Sequence, residues 1–325
     1  MKFLVVGLGS MGKRRIRCLK FLGHADIIGI DKRDDRRSEV KNSYNIETIG
    51  DIDDINCNDI DALIISTPPD KHLDYIVYAI ENSKPAFVEA SVILRGLSEA
   101  NISAKKNKVL IAPSCTFRFH PGIKMIKEII QSNQYGKVTN FSYHSGQYLP
   151  DWHPWEKVTD FYVSRKEVSA CREIVPFELT WIVDIMGPVK NGSAFYGKTM
   201  DVGADVDDTY AISMEFDGSY GIMIVDVVSR FAVRSLLVNM EEGQLKWDWS
   251  DNHIKLFNTK DKNWKKIKFS VGKAEDGYNP NIIEEMYIEE IETFIKSIRN
   301  QQLWPNTLDD DIKVLKTLHK LEGIS

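Results

Sequence analysis

Six residues near the start of the chain, Gly7-Leu8-Gly9-Ser10-Met11-Gly12, have the spacing that lets a main chain cradle a pyrophosphate. Each glycine has its own reason. Gly7 permits a tight turn, Gly9 lets the backbone approach the phosphates, and Gly12 lets a helix pack close to a sheet. The N–H groups of the helix start then attract the anion. Asp31, 19 residues beyond Gly12, can accept hydrogen bonds from an adenosine ribose. The pattern points to a dinucleotide, and Asp31 to NAD, because a carboxylate repels the 2′-phosphate of NADP. Lys32 and Arg33 follow at once, and an arginine there accommodates that phosphate, so NADP stays open. A solvated surface turn is the plain alternative for both cations.

A second concentration of chemistry lies at Asp151-Trp152-His153-Pro154-Trp155-Glu156, continuing to Asp160-Phe161-Tyr162. Trp152, Trp155 and Tyr162 can stack on a sugar ring or a base. Asp151, His153 and Asp160 can act as acid, base or hydroxyl ligands, and the intrinsic pKa of His153 suits proton transfer near neutrality. Arg172 suits a carboxylate or phosphate held by two parallel hydrogen bonds. The alternative is a loop whose aromatics cover an edge or a subunit contact. His153, Asp151 and Glu173 lack a diagnostic metal-ligand spacing. No GxSxG elbow supports serine hydrolysis. His120, just before Pro121, reads as a helix-cap residue.

These groups need elements to hold them. Phe3–Val6, Ile27–Ile30, Ala62–Ile65, Pro85–Val88 and Val109–Ala112 are short apolar runs expected of strands buried on both faces. Helical spacing between them, over Met11–Leu22 and Lys71–Asn82, implies βαβ units and a doubly wound parallel sheet. The second half differs. Pro121–Ser132 and Pro176–Met186 read as helices, with Pro176 in a first turn. Val138–Tyr148, Tyr210–Phe216, Gly221–Ser229, Ser235–Met240 and Gln244–Trp249 read as strands joined largely by short turns, hence a mainly antiparallel sheet. Helices near Ile282–Asn300 and Leu308–Leu321 finish the chain.

The 325 residues favour two domains. The expected division is 1–115 for dinucleotide binding and 116–325 for substrate and oligomer contacts, with the final helix packing back on the first domain. A net charge of −5 without a basic block argues against a nucleic-acid partner. No apolar run approaches the roughly 20 residues that span a bilayer. Four scattered cysteines with no CxxC suggest neither a disulfide framework nor zinc, so a cytoplasmic protein with reduced thiols is expected.

Two further segments, Asp61-Ala62-Leu63-Ile64-Ile65-Ser66-Thr67-Pro68-Pro69-Asp70-Lys71-His72 and Lys84-Pro85-Ala86-Phe87-Val88-Glu89-Ala90-Ser91, give the chain a familiar order of motifs. With the glycine turn, Phe117-Arg118-Phe119-His120-Pro121, Tyr135-Gly136-Lys137-Val138 and the final helices, it resembles the glucose–fructose oxidoreductase and inositol dehydrogenase family (Gfo/Idh/MocA) over nearly its whole length. The resemblance implies a Rossmann domain followed by an α/β domain on a large open antiparallel sheet. It also implies a nicotinamide cofactor between them, a carbohydrate-like substrate, and a homodimer or homotetramer packed through the open sheet. Gly7, Gly9 and Gly12 would hold the pyrophosphate. Ser66, Thr67, Pro68 and His72 would lie near the cofactor, and Glu89 would bond the nicotinamide ribose; Arg118 would touch the cofactor or the substrate, with an interdomain salt bridge as the equal alternative.

The departures concern catalysis. The family usually reads Glu-Lys-Pro where this chain has Glu89-Ala90-Ser91, and alanine can neither donate nor accept the proton of a reacting hydroxyl. Aligning on Gly187 sets Glu173 on the family's aspartate and Phe177 on its histidine; a slip of one residue would bring in Glu178. Three readings follow. The first is an oxidoreductase on a sugar, sugar acid or nucleotide sugar, whose proton donor is His153, Glu173 or Tyr162 and whose substrate meets Asp151, Trp152, Trp155, Arg172 and Glu178. The second is a redox-silent nucleotide- or sugar-binding protein, and the third is non-redox chemistry assisted by NAD.

Overall fold

The structure, a computed structural model, describes residues 1–152, 154, 156–270, 272 and 282–324. The chain forms two compact units, the first from residues 1–116 and 284–313, the second from residues 117–283 and 314–324. In the first unit, β1 (Phe3–Val6), β2 (Ile27–Ile30), β3 (Glu47–Ile49), β4 (Ala62–Ile65), β5 (Ala86–Val88) and β6 (Ile111–Pro113) form a parallel sheet in the order β3-β2-β1-β4-β5-β6. Every residue of β1, β2 and β4 is buried, as their unbroken apolar runs require. The crossovers carry α1 (Ser10–Phe21), α2 (Asp34–Tyr44), α3 (His72–Glu81) and α4 (Leu97–Asn107).

Helix α2 replaces the charged turn that the sequence suggests after β2. Only Val40 of its eleven residues is buried, so it carries almost no apolar periodicity to read. The chain returns to the first unit at α7 (Glu284–Ile298), which packs on α1, and α8 (Leu308–Leu321) is shared at its start. The returning segment runs from Glu284 to Lys313.

In the second unit, α5 (Pro121–Gln131) leads into β7 (Val138–Tyr148), and α6 (Ala170–Met186) follows a chain of short helical turns. Then come β8 (Asn191–Gly197), β9 (Thr209–Glu215), β10 (Tyr220–Asp226), β11 (Val228–Met240), β12 (Gly243–Asp248), β13 (His253–Asn258) and β14 (Asn263–Lys268). They make an eight-stranded sheet in the order β14-β13-β12-β11-β7-β10-β9-β8. Only the β7–β10 pairing is parallel. Side chains alternate between faces. Phe141, Tyr143 and Ser145 of β7 point into the core, and Ser142 and His144 to the other side.

Candidate functional site

The glycine turn joins the buried end of β1 to α1, and the three glycines are held for different reasons. Gly7 has φ +89°, and a Cβ there would lie 2.6 Å from the Ser66 carbonyl oxygen. A Cβ on Gly12 would meet the Gly7 oxygen at 1.9 Å. Both are demanded by the fold. Gly9 is not: a Cβ there would meet only the Arg36 guanidinium, at 3.5 Å. What it leaves open is the approach to the main chain. Gly9 is also the N-cap of α1, which has no side-chain cap and no acidic residue in its first turn, an arrangement favourable to an anion.

Asp31 is fastened to this turn. Its Oδ2 accepts from Leu8 N–H at 2.9 Å and its Oδ1 from Arg33 N–H at 2.9 Å. The cation beside it is Arg36, whose Nη1 is 3.7 Å from Asp31 Oδ2. Lys32 is exposed, and Arg33 turns its side chain to Asp35, which it holds at about 2. Sequence spacing pointed to Lys32 and Arg33, whereas helix α2 carries Arg36 back over the turn. Ser10 and Met11, the first helical residues, are half-buried.

Beyond β4, Pro68 precedes a short helical turn that leads into α3. His72 opens α3 and its Nε2–H donates to the Thr67 carbonyl at 2.9 Å, which leaves Nδ1 as an acceptor. Burial lowers the His72 pKa, a shift only partly offset by the Thr67 bond, so the ring is neutral. His72 Nδ1, Ser66 Oγ and Thr67 Oγ1 are all buried without a hydrogen-bond partner. Buried polar groups are ordinarily paired. Three orphaned atoms in the loop beyond β4 and at the start of α3, together with an open Gly9, fit a bound dinucleotide. At the end of β5, Glu89 is buried and both its oxygens accept from Arg15, at 2.6 and 3.0 Å.

In the second unit, α6 begins at Ala170, six residues before the start the sequence suggested, and Pro176 lies inside it. Glu173 therefore stands in the first turn. Its Oε2 accepts from the Tyr162 hydroxyl at 2.8 Å, so two of the three proposed catalytic residues meet. Phe177 packs edge-on against Phe117, with ring centres 5.3 Å apart. Asp151 is exposed, and Trp152 is half-buried with its indole N–H buried and unpartnered. His153 and Trp155 lie outside the described residues.

Three expected ligand contacts are occupied by the protein itself. Glu178 is fully buried and accepts from Tyr143, Ser145, Trp181 and Arg234, at 2.7 to 3.0 Å. It is a core hub joining α6 to β7 and β11. Arg172 forks onto Glu322 near the chain end, at 2.7 and 2.8 Å, and also donates to the Glu167 carbonyl. Arg118, expected at the cofactor, donates to the Thr180 carbonyl and reaches Asp184 at 3.5 Å. Each internal contact has the same physical cause: a charge drawn away from water takes the nearest partner the fold supplies.

Sequence reasoning also passed over Arg15, Glu290, Arg234 and Glu322. Only Arg15 had a local signal, since Gly12, Arg15, Ile16 and Leu19 share one helical face. On the open face of the second sheet, a cavity of about 380 Å³ is lined by Ser142, His144, Lys246 and Asp248, among others. His144 Nε2 lies 2.6 Å from Asp226 there. By strand alternation this is the face away from Glu178 and α6, so the cavity is separate from the Tyr162–Glu173 pair. Among the described residues, no group of three or more His, Cys, Asp or Glu is placed to hold a metal ion.

A parallel sheet in this order with a glycine cradle beyond its first strand defines a dinucleotide-binding protein of the Rossmann class. Comparison with known proteins makes the class particular. Residues 1–111 match the family model described as the oxidoreductase family, NAD-binding Rossmann fold, and residues 123–246 match the GFO/IDH/MocA C-terminal domain. The chain belongs to the Gfo/Idh/MocA family of NAD-binding oxidoreductases.

Among relatives, the uncharacterized oxidoreductase YrbE of Bacillus subtilis (strain 168) is 32% identical over 139 residues, which span 41% of this chain and 40% of YrbE. Oxidoreductase P35 of Formosa agariphila is 35% identical over 82 residues, 24% of this chain and 25% of that protein. The chain thus matches well under half the length of either. An oxidoreductase from Agrobacterium radiobacter in complex with NAD+, L-tartaric acid and magnesium has the same fold, with TM-score 0.85 at 15% identity, covering 98% of this chain and 94% of that one. Levoglucosan dehydrogenase in complex with NADH and levoglucosan gives 0.83 at 15%, covering 99% and 96%. UDP-N-acetylglucosamine 3-dehydrogenase from Acidithiobacillus ferrooxidans gives 0.78 at 14%, covering 99% and 97%.

Proposed function

We propose that this protein interconverts a hydroxyl and a keto carbon of a sugar, sugar acid or nucleotide sugar. Tyr162 and Glu173 would take the place of the family's lysine and histidine in moving the proton. The hydrogen bond from Tyr162 to Glu173 carries this reading, because it couples a phenol to a carboxylate in the first turn of α6. The bound nicotinamide cofactor supplies the acceptor or donor of hydride. In the oxidative direction, Tyr162 accepts the proton leaving the substrate hydroxyl as its own proton passes to Glu173. Reduction reverses both transfers.

The unpartnered Trp152 N–H is a donor available to a sugar hydroxyl, and Asp151 is an exposed acceptor in the same segment. His153 and Trp155 complete the candidate set, His153 as the alternative proton carrier. Asp31 favours NAD, with Arg36 as the cation through which NADP can be accommodated. Related sugar dehydrogenases of the same fold make a carbohydrate the expected substrate class.

Ala90 and the packed Phe177 favour a second reading, a Rossmann protein that binds its ligands without hydride transfer. One set of measurements separates the two. Purified protein is titrated with NADH and NADPH, then screened against sugars, sugar acids and nucleotide sugars for a change in reduced-cofactor absorbance. The oxidoreductase reading expects turnover that Tyr162→Phe and Glu173→Gln each lower about 100-fold or more. Turnover that survives both but is lost in His153→Ala moves the proton to His153. Tight cofactor binding with no turnover across the screen supports the silent reading.

The open face of the second sheet leaves Phe195 84%, Tyr220 65% and Ile222 56% exposed. These residues support a homodimer or homotetramer formed through that face. No helix among the described residues is long and apolar enough to cross a membrane. All four cysteines are free, which suits the cytoplasm proposed here.

A further inference from the structure

The interior of the first unit holds a buried arginine that the reading above leaves without a role. Arg15 stands one helical turn after Gly12, and its side chain is 0% exposed. Its Nε and Nη2 fork onto both oxygens of Glu89, and Nη2 also reaches Glu290 Oε2 at 2.9 Å. Its guanidinium lies 4.4 Å from the Phe87 ring centre and 5.2 Å from that of Tyr287. Glu290 in turn accepts from Ser114, Cys115 and Thr116, at 2.7 to 3.0 Å. A full charge taken this far from water is costly unless it is paired; here Nε and Nη2 are held by two carboxylates, while Nη1 is buried without a hydrogen-bond partner.

The topology says what Glu89 is for. In a doubly wound sheet, ligands bind beyond the carboxyl ends of the strands. Asp31 at the end of β2 marks the adenosine side, and the cradle beyond β1 marks the pyrophosphate. The nicotinamide half then extends over the ends of β4 and β5, where the orphaned Ser66, Thr67 and His72 atoms lie and where Glu89 stands. A carboxylate beside a ribose diol must present acceptors in one orientation. Glu89 follows the last residue of β5, with no helix of its own to set its rotamer, and the planar fork of Arg15 sets it instead.

We infer that Arg15 is a positioning residue for the nicotinamide half of the cofactor, acting through Glu89 rather than by touching the ligand. The inference rests on the cofactor reading above and deepens it. It predicts an asymmetry that a purely structural arginine would not produce. Fixing Glu89 matters to NADH, which has a nicotinamide ribose, and not to ADP, which ends at the pyrophosphate.

The experiment measures dissociation constants for NADH and ADP by fluorescence titration. The proteins are the wild type, Arg15→Lys, Arg15→Gln, Glu89→Gln and the double variant Arg15→Lys/Glu89→Gln, with folding checked by circular dichroism. Arg15→Lys keeps the charge and Arg15→Gln keeps a planar donor, so whichever folds carries the test. Weakening of NADH by about tenfold in either Arg15 variant, with ADP changed less than about twofold, supports the inference. A double variant no weaker than Glu89→Gln shows that Arg15 acts through that carboxylate. The inference is overturned by equal weakening of both ligands, by wild-type NADH binding in Glu89→Gln, or by failure of both Arg15 variants to fold. A wild-type protein that binds neither ligand overturns the cofactor reading itself.

Discussion

Gly9 and Gly12 carry the same side chain for opposite reasons, and the difference is measurable. Gly12 is a packing glycine, since a Cβ would sit 1.9 Å from the Gly7 oxygen. Gly12→Ala should therefore destabilise the protein by about 1–3 kcal/mol. Gly9 has φ −72°, which alanine adopts freely, and only the far end of the Arg36 side chain stands near. Gly9→Ala should cost under about 1 kcal/mol in urea denaturation. The same change should raise the NADH dissociation constant about tenfold or more, because a methyl group stands where the pyrophosphate meets the main chain. Equal stability losses in the two variants would show that Gly9 serves the fold as well.

At the same scale, residue type leaves the partner open. Arg172, Glu178 and Arg118 have the chemistry of ligand-binding residues, and each is spent on an internal partner. Charge and reach are visible in a sequence; the identity of the partner is not. Tyr162 and Glu173 stand 11 residues apart, and the intervening turns bring them to one place.

Among the elements, buried strands were the most legible. Val138–Tyr148 has the same bounds in sequence pattern and structure, and β1, β2 and β4 follow their apolar runs. Helix starts were less so. A proline ordinarily reads as a first turn, yet Pro176 is the seventh residue of α6. Helix α5 met its sequence signal. His120 caps it, with Nδ1 accepting from Gly122 N–H at 3.1 Å.

That cap makes stability depend on pH. Burial lowers the His120 pKa from 6.5 to about 4, and the Arg234 cation adds to the shift. Between those values the unfolded chain holds a proton that the folded chain does not. Stability from this site is therefore full above about pH 6.5 and is lost as the pH falls towards 4, by about 3 kcal/mol. His120→Asn keeps a cap acceptor and does not titrate. Its urea midpoint should lack most of the wild-type decline between pH 6.5 and 4, and an unchanged decline would assign the effect to other groups.

At the scale of the whole molecule, the chain leaves the first unit at Thr116 and re-enters it at Glu284. Arg15 and the Ser114–Thr116 segment both close onto Glu290, so the first unit depends on residues from both ends of the chain. The second sheet has one face buried by helices and the other set with exposed aromatic and aliphatic side chains. Ile222→Lys places a charge on that face and should shift the mass measured by light scattering to that of a 37.2 kDa monomer. Retention of a larger wild-type assembly would locate the subunit contact elsewhere.

The sequence by itself determined the Rossmann sheet, the cofactor cradle and the mainly antiparallel second sheet. Apolar runs, glycine spacing and turn residues act over a few neighbours, so their consequences are written locally. Only the tertiary structure decided which charge pairs with which. Arg15 meets Glu89 across 74 residues, Glu178 meets Arg234 across 56, and Arg172 meets Glu322 across 150. A buried ion is stable only beside its counter-ion, and over such separations the fold alone chooses the pair.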